Sequence, residues 1–116
     1  MSASTPISYI EFAANDLTLI KDFYSKAFNW QFVDYGPDYV SFENAGITGG
    51  FYYSPLHANA NEGSVLVVLH TDNLEACLHK IVKCGGTIKT DIFSFPGGKR
   101  FHFIDPCQNE LAVWAT

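Results

Sequence analysis

The strongest constraint on this chain is a pattern that it uses twice. Ile7 to Ala13 alternates as a strand should. Asn15-Asp16 then offers an N-cap ahead of Leu17, Ile20, Phe23, Tyr24, Ala27 and Phe28, which fall at helical spacing. The second copy begins with the apolar run Val65 to Leu69, passes through Thr71-Asp72-Asn73, and continues with Leu74, Leu78, Ile81, Val82 and Cys84 before Gly85-Gly86. Sliding one half over the other lays Phe12 on Leu69, Leu17 on Leu74, Tyr24 on Ile81 and Ala27 on Cys84, so the apolar faces stay in register.

Three strand-like runs follow each helix. They are Trp30 to Asp34, Tyr39 to Asn44 and Gly50 to Tyr53 in the first half, and Thr87 to Phe93, Arg100 to Ile104 and Glu110 to Trp114 in the second. Turns are expected at Gly36-Pro37-Asp38, Ala45-Gly46, Pro96-Gly97-Gly98 and Asp105-Pro106. The polar stretch SPLHANANEG, residues 54–63, reads as a linker between a first module of about residues 6–53 and a second of about residues 64–116. Two βαβββ modules in tandem imply an α+β domain with a curved eight-stranded mixed sheet, cup-shaped, and its helices on the convex face. Exposed edges in such a sheet recruit partners, so a homodimer is expected.

Composition narrows the function classes. Seven Lys and Arg against twelve Asp and Glu, for a formal net charge of -5, do not make the basic surface that nucleic acid requires. No apolar stretch approaches the ~20 residues of a membrane span, and the N-terminal MSASTPIS lacks a basic-then-apolar signal pattern, so a cytoplasmic location is expected. Cys77, Cys84 and Cys107 are odd in number and lack C-x-x-C spacing, which fits reduced thiols better than a disulfide framework or zinc site. Cys107 falls in a turn where it could be exposed.

Two segments carry a family resemblance. IEFAANDLTLIKDFYSKAF, residues 10–28, resembles the strand, Asp-Leu, helix and Phe-Tyr opening of glyoxalase and bleomycin-resistance domains of the vicinal oxygen chelate superfamily. FIDPCQNELAVW, residues 103–114, is similar to their closing D-P-x-G-N turn and last strand. The resemblance implies metal-ligand positions on the first and fourth strands of each half. Here those positions fall on Tyr9, Leu66, Ala112 and either Gly49 or Gly50, which are poor divalent-metal ligands, so the usual metal site is expected to be absent.

The same family register predicts what lines the cup. Strand alternation from Tyr9 and Ala112 brings Glu11, Glu110 and Trp114 inward, and the turn register adds Arg100 and His102. His70 and Tyr53 are assigned to the same surface, Tyr53 together with Phe51. Glu11 and His102 are the candidate catalytic groups, while Tyr9, Arg100, Glu110, Trp114, His70 and Tyr53 are candidate ligand contacts. Plainer readings stand beside these: a Glu11–Arg100 internal ion pair, a structural His102, and a Glu110 on the rim. His57 in the linker and His79 on the second helix read as solvated, and Phe95 to Arg100 as a flexible cup edge that could close on an acidic or carbonyl-bearing ligand.

The implied function is small-molecule binding. It takes the form of a lyase or isomerase-type reaction with Glu11 and His102 as acid and base, or of drug or metabolite sequestration of the bleomycin-resistance type, with Trp30, Trp114 and other aromatics stacking on a planar ligand. No cofactor is expected, apart from a lesser alternative in which Glu11, His102 and Glu110 form a displaced divalent-metal site.

Overall fold

A computed structural model describes residues 3–116; Met1 and Ser2, which open the N-terminal stretch, lie outside the described residues. The elements run β1 (Tyr9–Ala14), α1 (Leu17–Phe28), β2 (Gln31–Asp34), β3 (Tyr39–Glu43) and β4 (Thr48–Tyr53) in the first half. After a 3-10 turn at Ala60–Glu62 come β5 (Val67–His70), α2 (Leu74–Lys83), β6 (Thr87–Phe95), β7 (Gly98–Ile104) and β8 (Glu110–Ala115). Each half is thus a βαβββ module, as the repeat predicts.

Both helices begin where the sequence caps them. The Asp16 side chain accepts the Leu19 N–H at 3.0 Å, and Asn73 accepts that of Ala76 at 3.1 Å, each meeting a backbone donor that the first turn leaves unpaired. The α1 helix stops at Asn29, whose left-handed backbone (φ 63°) turns the chain toward β2. Ile20, Phe23, Tyr24 and Ala27 form its buried stripe.

The strands are ordered β1-β4-β3-β2 in one sheet and β5-β8-β7-β6 in the other. In each, the first strand runs parallel to the fourth and the remaining pairs are antiparallel. The ladders make two four-stranded sheets, where the sequence suggested one continuous curved sheet of eight.

Each sheet turns one face to the helices and leaves the other open. On the helix side, α1 and both sheets share a single apolar core. Trp30 stacks between Tyr24 and Phe42 at 4.6 Å from each, and Phe103 meets Phe28 at 5.7 Å and Phe23 at 6.1 Å. Trp30 therefore belongs to the core and is not a stacking platform for a ligand. Cys107 is also buried, its Sγ 3.6 Å from the Asp16 carbonyl.

Polar groups in the turn between β7 and β8 tie the halves together. Asp105 is buried; its Oδ1 accepts the N–H groups of Cys107 (2.8 Å) and Asn109 (3.0 Å), and its Oδ2 accepts the Tyr24 hydroxyl at 2.8 Å. Asn109, fully buried, donates to the Ala13 carbonyl at the end of β1 and accepts the Ala58 N–H from the linker, both at 2.8 Å. Gln108 between them adopts φ 73°, the left-handed conformation for which the family's turn uses glycine.

Asn109 therefore satisfies two backbone groups from two other parts of the chain. Asn109→Ala leaves both unpaired in a dry place and is expected to cost about 3 kcal/mol in urea unfolding. A loss under about 0.5 kcal/mol, the range of an ordinary surface change, would refute its role as the tie.

Candidate functional site

Strand pairing settles which side chains share the open faces. On the first sheet, Glu11 lies opposite Gly50 and Ser41 opposite the same glycine, while Ala13 lies opposite Tyr52 and Tyr52 opposite Tyr39. This face thus carries Tyr9, Glu11, Tyr39 and Tyr52. Tyr39 donates its hydroxyl to Glu11 Oε2 at 2.8 Å and is hydrogen-bonded to the Tyr9 hydroxyl, a chain that ends on an exposed carboxylate. Burial, with the bonds to Tyr9 and Glu11, pushes the Tyr39 phenol well above its ordinary range.

The fourth strand reverses one expectation. Phe51 is buried and stacks on Phe12 with centroids 5.3 Å apart, so it points to the helices, and Tyr53 shares its parity. Tyr52, not Tyr53, faces the open side, where it lines a groove of about 480 Å³ with Glu11, Leu56, His57 and Val65.

On the second sheet, His102 pairs with Ala112, Arg100 with Trp114 and Ile104 with Glu110, so Arg100, His102, Glu110 and Trp114 share the open face as predicted from the register. His70 sits opposite Trp114 at the edge, its ring 4.8 Å from the indole. His79 and His57 are exposed.

Glu110 is the hub of this face. It is only 4% exposed, which removes it from the rim. Its Oε1 accepts Lys89 Nζ at 2.9 Å and the Ala60 N–H at 3.1 Å, and its Oε2 lies 3.1 Å from His102 Nδ1. Burial alone would raise its pKa. The bonds from Lys89, His102 and Ala60 outweigh that and hold the carboxyl below its usual range. With Nδ1 committed to Glu110, Nε2 is the imidazole nitrogen left for chemistry on the open face.

The Glu11–Arg100 ion pair of the plainer reading does not form. Glu11 is engaged by Tyr39, and the Arg100 guanidinium carbon lies over the rings of Phe93 and Phe95 at 5.3 and 5.7 Å. Two register breaks in β6, between Ile88 and Thr90 and between Thr90 and Phe93, set which of its residues lie opposite these side chains. The first break contains Lys89. The second brings Phe93 opposite Arg100, where unbroken pairing from Thr90 would have brought Ile92. Phe95 to Arg100 forms a tight hairpin, with Phe95 paired to Gly98 across Pro96-Gly97, instead of a loose edge. Tyr39 and Tyr52, by contrast, were accessible to strand alternation once β4 was given the correct parity.

The metal alternatives meet a poor donor set. Ala112 pairs with Val68, and Gly50 could carry no side chain because a Cβ there would run into the Tyr39 hydroxyl. Among the described residues, no three His, Cys, Asp or Glu side chains gather closely enough to hold a metal ion, so Glu11 does not join His102 and Glu110 in a displaced site. Tyr9, Leu66, Gly50 and Ala112, the positions that the resemblance implies, offer one phenol and no imidazole, carboxylate or thiolate.

This fold and this pair of open sheet faces define a class. The model of the Glyoxalase/Bleomycin resistance protein/Dioxygenase superfamily matches residues 7–113, and the chain belongs to that family. Among solved structures, it is similar to a glyoxalase-related enzyme from Fulvimarina pelagi, with a TM-score of 0.80 and 18% identity over 97% of this chain and 89% of that one. A genomically encoded fosfomycin resistance protein from Listeria monocytogenes superposes with a TM-score of 0.80 at 14% identity, covering 98% of this chain and 95% of that one. Lactoylglutathione lyase from Agrobacterium tumefaciens gives 0.72 at 17% identity, over 98% and 96%. At these identities the likeness is one of fold. Among curated proteins, none matches the chain.

The Glu110 network sets a pH dependence. A folded-state pKa below the unfolded one, about 4.3 for Glu, gives stability that is present above that value and lost as pH falls through the folded pKa. Asp105, raised by burial against the pull of its hydrogen bonds, has the opposite sign: its contribution is present below its unfolded value and lost as pH rises. Glu110→Gln is therefore expected to cost about 2 kcal/mol at pH 7. That difference from the parent should shrink between about pH 5 and pH 3. Urea unfolding at several pH values measures it, and a pH-independent difference would contradict the assigned network.

Proposed function

We propose that this protein binds a small molecule on its open sheet faces without the family's usual metal ligands, and carries out lyase or isomerase-type proton transfer there. The observation that carries the reading is His102, held through Nδ1 by a buried, ionised Glu110 on the face away from the helices. A carboxylate in that position fixes the orientation and tautomer of the ring and leaves Nε2 free, the arrangement a general acid or base needs. Glu11 is the second acid–base group. It lies on the other sheet, so a ligand in contact with both must span the two faces, within one chain or across a two-fold dimer.

The exposed apolar side chains on these faces support a dimer. Tyr9, Val33, Tyr52 and Val68 lie on the open sides and remain 39 to 45% exposed. The radius of gyration, 14.5 Å, exceeds the ~13 Å of a compact chain of this length, as two modules presenting open faces would give. The partner is a second copy of this chain. No helix among the described residues is long and apolar enough to cross a membrane.

The second reading is sequestration without chemistry. It is favoured by the aromatic surroundings of Arg100 and by Trp114, with Phe95 at 6.3 Å and His70 at 4.8 Å from its indole.

Two measurements test the proposal. Light scattering at micromolar concentration is expected to give twice the 12.9 kDa of one chain, and the monomer mass would reject the dimer. A panel of 2-oxo carbonyl compounds, lactoylglutathione, fosfomycin and bleomycin is followed by tryptophan fluorescence for binding and by NMR for C–H exchange in D₂O. The expected outcome is exchange that falls about 100-fold or more in His102→Gln and in Glu11→Gln while binding persists. Binding without exchange replaces the enzyme with the sequestering reading, and no binding across the panel overturns both.

A further inference from the structure

We infer that Arg100 is the anion-binding element of a subsite for a small organic monocarboxylate with a flat apolar body. This rests on the reading of the open faces as a small-molecule site and names the ligand class for the second sheet.

The guanidinium is charged at every physiological pH, so its surroundings must account for the charge. Phe93 and Phe95 attract it through their ring faces, with the guanidinium carbon 5.3 and 5.7 Å from the two centroids. Rings supply no acceptor for its N–H groups. The buried carboxylate on this face, Glu110, already takes Lys89 and His102, and Glu11 on the other sheet takes Tyr39. Among the described residues no ion pair includes Arg100, and its Nε is buried without a hydrogen-bond partner. A buried donor in that condition is costly, the more so when it is charged. Stacking accounts for the orientation of the side chain and leaves the unmet donor unexplained.

A cavity of about 360 Å³ adjoins it, lined by Val68, Phe95, Pro96, Gly97, Arg100 and Trp114. One cation among apolar and aromatic walls selects one negative group on an apolar body. A guanidinium presents paired, parallel donors that match the two oxygens of a carboxylate, and Arg100 is part of this lining. The walls, Trp114 with Phe95 centred 6.3 Å away, suit a flat ring or short branched chain. The cavity lies at the small end of the ~300–1,000 Å³ range for ligand sites. A polyphosphate would need several cations or a run of backbone N–H groups, and Arg100 is the lone cation in this lining. The chain's net charge of -5 gives no general attraction for anions, so binding must come from this local arrangement.

The test compares phenylacetate with its neutral isostere phenylacetamide, and both with inorganic phosphate. Binding is read by tryptophan fluorescence, where the open-face Trp114 responds against the buried Trp30, and by ¹H–¹⁵N NMR shifts. Phenylacetate is expected to bind at least about tenfold more tightly than the amide, and phosphate more weakly than either. Arg100→Gln is expected to remove that preference while amide binding is kept, which also shows that the variant is folded. Arg100→Lys should recover only part of it, because an ammonium lacks the paired donors. Equal affinity for acid and amide, or an unchanged preference in Arg100→Gln, overturns the subsite. Carboxylate binding that persists without any C–H exchange in the wider panel leaves the subsite standing and removes the proposed chemistry. Panel ligands that bind while carboxylates do not bring the reverse result.

Discussion

The structure depends most on the buried turn from Asp105 to Asn109. Burying a carboxylate is costly unless its oxygens are satisfied, and Asp105 meets that cost with two backbone N–H groups of its own turn and the Tyr24 hydroxyl of α1. The arrangement works only if α1 of the first half packs against the second half. Asn109 adds bonds to the end of β1 and to the linker. A turn of five residues thereby fixes the first strand, the first helix and the linker to the last strand, which a set of non-directional apolar contacts would not orient as closely.

Glu110 follows that turn directly, so the tie and the site are mechanically one. Its backbone N–H donates to the Ala58 carbonyl while its side chain accepts from Ala60, Lys89 and His102. The linker residues that join the modules thus also complete the cage around the carboxylate that orients His102. A change that loosened residues 58–60 would reach His102 through Glu110 without touching the imidazole.

Charge on the second sheet is distributed unevenly as a result. Glu110 gathers Lys89 and His102 at one end of the face, and Arg100 at the other is left to aromatic rings and a cavity. On the first sheet, Glu11 is satisfied by a phenol instead of a cation and stays exposed. The two open faces therefore differ in chemistry despite their common module plan: one offers a carboxylate and tyrosines, the other an oriented imidazole and an unpaired guanidinium.

The sequence by itself determined the repeat, the elements and much of the facing. Periods of 2 and 3.6 are local properties, and Asp16 and Asn73 cap the helices through residues three positions away, so these features needed no distant partner. Parity from Ala112 grouped Glu110 with Trp114, and the turn register of the resemblance added Arg100 and His102; β7 and β8 pair without a break, so the four share a face. The tertiary structure alone decided the remainder. Tyr52 and Tyr53 both fit an open face until Phe51 is seen packed on Phe12, and each break in β6 shifts its pairing with β7 by one residue. Which acid meets which base was likewise open, since Glu110 finds Lys89 from 21 residues away while Glu11 finds Tyr39 from 28. Such pairings are settled by which strands become neighbours, and a one-residue slip in register exchanges one face of a strand for the other.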